Sequence, residues 1–573
     1  MDTILKYFES DQKLVELLTK GLDCHPLLAH LLCIRGICTV EEAALFLNPT
    51  FENLTDPFLL KDMDKAVERI FTAVKNKEKI LIFGDFDADG VTSTALLCDF
   101  LEYCDANISW YIPHRIKEGY SLQADHIQMA IDQDIDLIIT VDCGVSSHEA
   151  VKAAFNEDIA VIITDHHEPS DTLPPAVAVI DPKRADCPSG LSFLAGVGVA
   201  FFLVVGLRKF FREKEFWEDI KEPNLSDYLD LFTLGTIGDM VPLIKENRTF
   251  CIAGLKKIRQ GTRPGLKSLI DICRTDFRRI DSDDISFKIV PRINAAGRIS
   301  HARICVTQLT SIDIVTAEKT ASLLDQLNTK RQQIEKEIVL DIERQLLENP
   351  SLLNNTLLFL WNDQWNPSVL GIAASKLSRK YFCPVILLST SGEHAIGSGR
   401  SINNINIYQA LVANEVLLEK FGGHAMACGL TIKKDNLIEL CQKLNQHIKE
   451  AYSKKSFQKS MTIDAIIDFE DVDYTLACEI DRLRPFGMAN PEPVFICKNI
   501  QVDSSLIVGS IHRKMILKKA SSTSQHKVEA FHFNFKDPNN QNDNPPNYYS
   551  KIAFKLKINK FKKHAAQIII EDL

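Results

Sequence analysis

The sequence predicts a multidomain α/β protein: a mainly parallel sheet in the first half, a long helix joining it to a smaller second α/β unit, and a β-barrel at the C-terminus. Three observations carry this reading. Between Lys79 and Asp181 short apolar runs alternate with helix-like stretches, the rhythm of a parallel sheet covered on both faces. From Thr316 to Leu347 apolar residues recur with a helical period and no Pro or Gly intervenes. Beyond about Ser460 the texture turns to short alternating strands with Asn/Pro-rich turns, including Asp537–Pro546. At 573 residues the chain has room for three to five domains of about 150 residues each. We divide it into an N-terminal helical segment (1–50), a first α/β domain (51–310), a connecting helix (311–348), a second α/β domain (349–458) and the barrel (459–573).

The elements follow in order. Leu27, Leu28, Leu31 and Leu32 stand at helical spacing in the first segment, which ends at the turn Asn48-Pro49. The expected strands of the first domain are Ile80–Phe83, Ile108–Ile112, Ile135–Val141, Ala160–Thr164 and Ala176–Ile180. Helices are expected at Phe193–Phe211 and Leu225–Gly235. Ala317, Ala321, Leu324, Leu327, Ile334, Ile338 and Ile342 mark one face of the connecting helix. At about 1.5 Å per residue it reaches ~45 Å, enough to join two lobes. After Asn349-Pro350 the second unit starts, with strand Leu357–Trp361, helix Val369–Tyr381 and strand Val385–Leu388.

Composition narrows the class. Hydrophobic content of 45% with 25% charged residues is that of a soluble globular chain. No run of about 18 uncharged apolar residues appears, so no membrane span is expected. The N-terminus lacks a basic stretch followed by an apolar one, so no signal peptide is expected. Fifteen cysteines occur without a CxxC pair, which argues against zinc ribbons and disulfide frameworks and predicts a reducing, cytoplasmic setting. The net charge of −10 divides unevenly: residues 498–573 carry 13 Lys/Arg against 6 Asp/Glu, or +7, leaving −17 for the rest. That asymmetry suits either a nucleic-acid-binding module or a solvated basic face.

The chemistry starts at Phe83–Ser93, where Asp85, Asp87 and Asp89 alternate directly after an apolar strand. Like charges so close repel, and a metal ion among them removes the cost. An acidic turn is the plain alternative; an EF-hand is not, because Thr92 to Asp99 does not continue its ligand spacing. Further strands run into Asp142-Cys143-Gly144 and Asp165-His166-His167, and Leu234–Asp239 places one more carboxylate after what reads as a Gly-flexed turn. Parallel strands deliver their carboxyl ends to one edge, so Asp87, Asp89, Asp142, His166, His167 and Asp239 are expected to converge there. Mixed carboxylate and imidazole ligands suit Mn²⁺ or Mg²⁺. One Asp bridging two ions ~3.5–4 Å apart is the arrangement of in-line phosphoryl displacement.

With these residues the chain resembles the DHH phosphoesterase superfamily, and within it the RecJ-type single-stranded-DNA-specific exonucleases, over nearly its whole length. Supporting stretches are Tyr111–Arg115 with Glu118-Gly119-Tyr120, Leu194–Ala200, Arg292–Arg298, Phe421–His424 and Arg484–Gly487. The resemblance implies one metal on Asp87 and Asp142 and a second on Asp89, Asp142, His166 and Asp239, with Asp142 and His167 catalytic and His167 facing the scissile phosphate. Many superfamily members have a histidine four residues before the first metal-binding Asp. Here that residue is Phe83, a lack RecJ-type proteins share, so the first metal is expected to be held more loosely or by more water. Asp85 and Arg115 are placed one layer behind the ligands.

The second domain resembles the DHHA1 type. Its Gly397–Ser401 stretch, following a strand, reads either as a turn or as a phosphate site; the resemblance favours phosphate, with Ser398, Arg400, His424, Arg298 and Asn294 as binders. The C-terminal region resembles the OB-fold module, where Lys514, Lys518, Lys519, Lys555 and Lys557 with Phe531, Phe533, Phe554 and Phe561 offer a basic groove and stacking platforms, unless those rings fill the barrel. The implied activity is two-metal hydrolysis of single-stranded DNA from its 5′ end in repair and recombination. Alternatives are a DHH phosphodiesterase of short oligonucleotides or cyclic dinucleotides, and a non-catalytic replication scaffold. Single-stranded DNA is the expected partner, a helicase and a single-strand-binding protein are candidates, and no membrane is involved.

Overall fold

The computed structural model describes residues 4–572 apart from 53, 510, 521–524, 536–545 and 560–561. The turn expected from Asp537 lies outside the described residues up to position 545, as does Phe561. Among the described residues no helix is long and apolar enough to cross a membrane.

Five parallel strands build the first domain, in the spatial order Asn107–Tyr111, Lys79–Gly84, Leu137–Val141, Ala160–Thr164, Ala178–Ile180. Their register brings Gly84 level with Val141, Val141 with Thr164, and Thr164 with Ile180. Each of those residues is followed by an aspartate, so Asp85, Asp142, Asp165 and Asp181 form a row along one sheet edge. Buried helices Ala88–Tyr103 and Gly196–Glu213 cover the sheet, with Leu229–Gly238 packed on both of them. The expected Gly-flexed turn before Asp239 is instead the last turn of that helix, with Asp239 as its C-cap. Its glycines serve close packing: a Cβ on Gly235 would stand 2.3 Å from Thr92 Oγ1.

The connecting helix runs Ile314–Glu348, capped by Asp313, which accepts from Val315 N and Thr316 N. Its first half packs against helices Pro264–Ile272 and Val290–Ile299. Its second half buries Ile338, Val339, Ile342 and Leu346 against helix Leu370–Tyr381 and the second sheet. That sheet is mixed, in the order Lys420–His424, Ala427–Lys433, His394–Arg400, Val385–Ser391, Leu358–Asn362, and only its last pair is parallel. Gly397–Arg400 is therefore part of an antiparallel strand rather than a turn following one.

At the C-terminus, Phe495–Val508 pairs with both His512–Lys519 and Tyr548–Ile558, and Ala566–Asp572 joins the latter to Val528–His532, closing a barrel. The N-terminal helices do not stand apart from it. Leu28, Leu31 and Leu32 share one core with Phe469, Phe495 and Phe554, and strand Ile4–Tyr7 pairs in parallel with Ser460–Ile463. Arg248 ties this unit to the first domain: 2% exposed, it donates to the carbonyls of Phe46, Leu483 and Arg484.

Candidate metal centre and phosphate cluster

Local folding places each acidic side chain. Asp87 caps helix Ala88–Tyr103, its Oδ1 accepting from Asp89 N at 2.9 Å and Gly90 N at 3.1 Å. A carboxylate is favoured at that helix end by the free amides and the dipole. Asp89 is turned by a second helix start: Gly196 N donates to its Oδ2 at 2.6 Å and Val197 N to its Oδ1 at 2.8 Å. Asp142 leaves its strand in the left-handed region (φ 61), which aspartate tolerates, and its amide donates to Thr164 O at 3.0 Å.

The ligands gather in two sets and a third that overlaps both. Asp85, Asp87 and Asp142 bring carboxylate oxygens within 4.8 Å of one another, so do the ligand atoms of Asp89, His166 and Asp239, and so do those of Asp142, His166 and His167. The sets meet where His166 Nε2 stands 3.1 Å from Asp142 Oδ1, with Asp239 Oδ2 at 3.6 Å and Asp89 Oδ2 at 3.7 Å. Asp85 thus lies among the first set rather than only behind it. Arg115 has its guanidinium 4.7 Å from the Phe86 ring centroid and feels the charges of Asp85 and Asp87.

Electrostatics show what the cluster lacks. Burial, and then the neighbouring carboxylates, push Asp85, Asp89 and Asp142 well above the usual carboxylate range. Asp239 is pushed up to about 7 by burial and then by Asp87. Burial and the charge of His167 hold His166 down at about 3, while its ring hydrogen bonds the Leu194 backbone. A neutral imidazole so fixed offers Nε2 as a ligand. Asp85 Oδ1 and Asp142 Oδ1 are buried without a hydrogen-bond partner. Hard oxygen donors, one imidazole and unsatisfied carboxylates fit divalent cations such as Mn²⁺ or Mg²⁺.

His167 stands apart from its neighbour. Its side chain is 47% exposed, and its Nδ1 lies 2.7 Å from Asp165 Oδ1 and 3.1 Å from Tyr120 Oη. Burial opposes its charge, but the Asp165 bond and charge prevail and raise it to about 9. Asp165 Oδ1 also accepts from His166 N and His167 N, and its Oδ2 from Val145 N. Sequence reasoning gave Asp165, Tyr120 and Asp181 no role. Asp165 and Asp181 carried the same signal as Asp142, an aspartate directly after a parallel strand. Tyr120 stood in the Glu118-Gly119-Tyr120 stretch that supports the resemblance, but only folding brings its hydroxyl to His167.

A second constellation is cationic. Arg115, Arg298 and Arg400 are held below the ordinary guanidinium range by burial, and each of the last two also by charge from Arg115; Arg298 falls to about 9. Arg298 donates to Ser368 O at 2.8 Å, and Arg400 to Ser398 Oγ at 3.2 Å. Clustered guanidiniums without enough carboxylates await an anion. The strand register lines up His424, Ala427 and Arg400, which puts His424, exposed, on the same sheet face two strands from Arg400. Asn294 differs from the expectation of a plain phosphate binder: its Oδ1 accepts from Ala88 N at 2.8 Å and braces the acidic loop. The five barrel lysines singled out from the sequence are each paired, Lys514 with Glu529, Lys518 with Asp503, Lys519 with Asp468, Lys555 with Glu571 and Lys557 with Glu492. Phe554 is barrel core, whereas Phe531 is half-buried and Phe533 is 50% exposed.

With this geometry in view, comparison with known proteins is consistent along the chain. Residues 79–236 match the DHH family N-terminal domain, 351–450 the DHHA1 domain and 463–572 the RecJ OB domain. A single-stranded-DNA-specific exonuclease RecJ of Bacillus subtilis is 37% identical over 89% of this chain, which spans 64% of that protein's length. The protein of that description from Salmonella typhimurium is 35% identical over 96% of both chains. Among solved structures, RecJ in complex with Mn²⁺ from Thermus thermophilus shares the fold, with a TM-score of 0.82 at 24% identity over 100% of this chain and 79% of that one. An exonuclease RecJ bound to manganese is 30% identical, with a TM-score of 0.58 over 68% of this chain and 94% of the other.

Proposed function

The chain belongs to the RecJ family of single-stranded-DNA-specific exonucleases, and on that basis we propose that it hydrolyses single-stranded DNA from the 5′ end at a two-cation centre. The observation that carries this is the meeting of the two ligand sets at Asp142 and His166, 3.1 Å apart. Asp87 and Asp142, with Asp85 beside them, would hold one cation; Asp89, Asp142, His166 and Asp239 would hold the other. Bound there, Mn²⁺ or Mg²⁺ supplies Lewis acidity and lowers the pKa of water.

The protein's own groups do the remaining work. Gly196 N and Val197 N fix both oxygens of Asp89, and Asn294 fixes the start of the helix that presents it. Protonated His167, held by Asp165 and half-exposed, faces the substrate side and donates to a phosphate oxygen as negative charge builds. Arg298, Arg400 and Ser398, with Arg115, grip a neighbouring phosphate, and His424 extends that face. A groove between the two lobes would pass a single strand to the cations, and a helicase and a single-strand-binding protein are the partners such a substrate suggests. The work is placed in the cytoplasm, where its 15 free cysteines stay reduced, in DNA repair and recombination.

A cyclic dinucleotide or short oligonucleotide would need neither the barrel nor its match over 463–572. A scaffold would not need the complete ligand set. Digestion of 5′- and 3′-labelled single and double strands with Mn²⁺, beside Asp142→Ala, tests the proposal. Release of the 5′ label from single strands by the wild type alone is expected. Release from duplex ends only, or undiminished release by Asp142→Ala, would overturn it.

A further inference from the structure

Phe287, Met240 and Met488 carry large apolar side chains that are 77%, 67% and 52% exposed. Single exposed hydrophobics are ordinary on protein surfaces. These three come from separate segments that are drawn together beside the metal centre. Met240 directly follows Asp239, whose Oδ2 is 3.6 Å from His166 Nε2. Leu243 N donates to Met488 O at 2.9 Å, and a Cβ on Gly487 would stand 2.7 Å from Leu243 Cδ1. Ser282 Oγ donates to Phe486 O at 2.8 Å, which pins the loop carrying Met488 to the segment leading into Phe287.

Phe287 sits in the π-helical turn Ile285–Ile289, which packs against the end of helix Leu229–Gly238 and continues directly into helix Val290–Ile299. π-helical turns are rare and concentrate at functional sites. Along this segment Phe287 is exposed and Pro291, Asn294 and Arg298 are half-buried, while Ile289, Val290, Ile293 and Ala295 to Gly297 are buried. The open seam therefore runs from Phe287, past Asn294 bracing the acidic loop, to Arg298 at the guanidinium cluster. Its Phe287 end lies toward the barrel, since Asp283 pairs with Lys557 at 3.3 Å. On this side of the barrel Lys555 and Lys557 are both paired with Glu492. What the surface offers there is the exposed ring of Phe287, with the exposed Met240 and Met488 on the adjoining segments.

We propose that Phe287, exposed on a segment linked to those of Met240 and Met488, is the platform on which a nucleobase of the bound strand stacks on the barrel side of the metal centre, which makes it a positioning residue for hydrolysis. The inference rests on reading the site as one that takes a single DNA strand. Stacking on an aromatic side chain tolerates any base and requires only that a base be present. Removal of the base must therefore erase the contribution of the ring.

The test is steady-state hydrolysis with Mn²⁺ by the wild type, Phe287→Ala and Phe287→Trp. Each acts on an ordinary single strand and on one whose first six or so nucleotides are abasic tetrahydrofuran residues. On ordinary DNA, Phe287→Ala should raise KM about tenfold or more with kcat within about twofold, and Phe287→Trp should restore KM. On the abasic strand the wild type and Phe287→Ala should be equal. Equal KM on ordinary DNA, or the same loss on both substrates, overturns the platform while leaving the exonuclease reading intact. Failure of the wild type to hydrolyse any single strand overturns that reading, and the platform with it.

Discussion

Asp165, 1% exposed, holds His167 through a 2.7 Å contact between its Oδ1 and the ring Nδ1, and the same oxygen takes the amides of both histidines. One carboxylate thus orients the His167 ring, favours its protonated form and fixes the backbone that presents His166. Asp165→Asn would turn an amide against these donors. We expect kcat to fall about 10- to 100-fold with KM nearly unchanged, the size of effect that groups orienting a ligand or catalytic residue give. A KM defect of that size with kcat intact would mean that Asp165 acts on substrate binding instead.

The raised carboxylates make stability depend on pH, and the sign follows from proton counts. Unfolded aspartates titrate near 3.9. In the folded, metal-free protein Asp239 titrates at about 7, and Asp85, Asp89 and Asp142 are also raised, by burial first. Between those values the folded state binds more protons, so stability falls as pH rises. This contribution is complete below about pH 4 and is lost as pH passes 7. The chelated protein should therefore melt at a lower temperature at pH 8 than at pH 6. Mn²⁺, which needs the ionised groups, should raise Tm more at pH 8. Equal Mn²⁺-induced shifts at both pH values, read by differential scanning fluorimetry, would exclude the cluster as the binding site.

Asp142→Asn separates ligand loss from fold loss. Asparagine accepts the left-handed backbone at φ 61, and it removes one charge from a self-repelling cluster. The chelated variant should melt above the chelated wild type, show no Mn²⁺-induced shift, and lose at least about a thousandfold in kcat. A variant that melts lower and retains the Mn²⁺ shift would show that Asp142 serves the fold.

Strand-end aspartates were legible because short continuous apolar runs show where buried parallel strands stop, and the register then aligns Gly84, Val141 and Thr164. The long helix was legible because its apolar period has no competing signal, and its expected span Thr316–Leu347 lies within the observed Ile314–Glu348. What the sequence hid arises from contacts distant along the chain. Leu234–Asp239 reads as a turn because of its glycines, yet those glycines let a helix approach Thr92 and Ala88. The pairing of individual barrel lysines with carboxylates, such as Lys519 with Asp468, is invisible to a charge count. The helical reading of residues 27–32 was correct, but no local pattern shows that those leucines pack on the barrel.

Gly196 tests the helix start that orients the ligands. A Cβ there would stand 2.6 Å from Asp142 Cβ and Oδ1, while its own amide donates to Asp89 Oδ2 at 2.6 Å. Alanine favours helix by about 1 kcal/mol over glycine, so helix loss is not the expected defect. Gly196→Ala should instead raise the Mn²⁺ concentration for half-maximal activity about 10-fold or more, with far-UV circular dichroism unchanged. An unchanged Mn²⁺ requirement would show that the centre accommodates the methyl group and that this close approach is not needed.

Arg400 separates substrate charge from structural charge. Its hydrogen bonds are local, to Ser398 Oγ and Gly399 O, and Arg115 repels it. Arg263 is the contrast, because it bonds Asp99 at 2.5 Å and Asp230 at 2.7 Å. Arg400→Ala should leave Tm unchanged, raise KM about 10- to 100-fold, and reduce the slope of log KM against log salt by about 0.7 for one lost phosphate contact. Arg263→Ala should lower Tm by leaving two buried carboxylates unpaired, and the folded fraction should keep both KM and its salt slope. If Arg400→Ala changes Tm but not the salt slope, the guanidinium cluster is structural and the phosphate is held elsewhere.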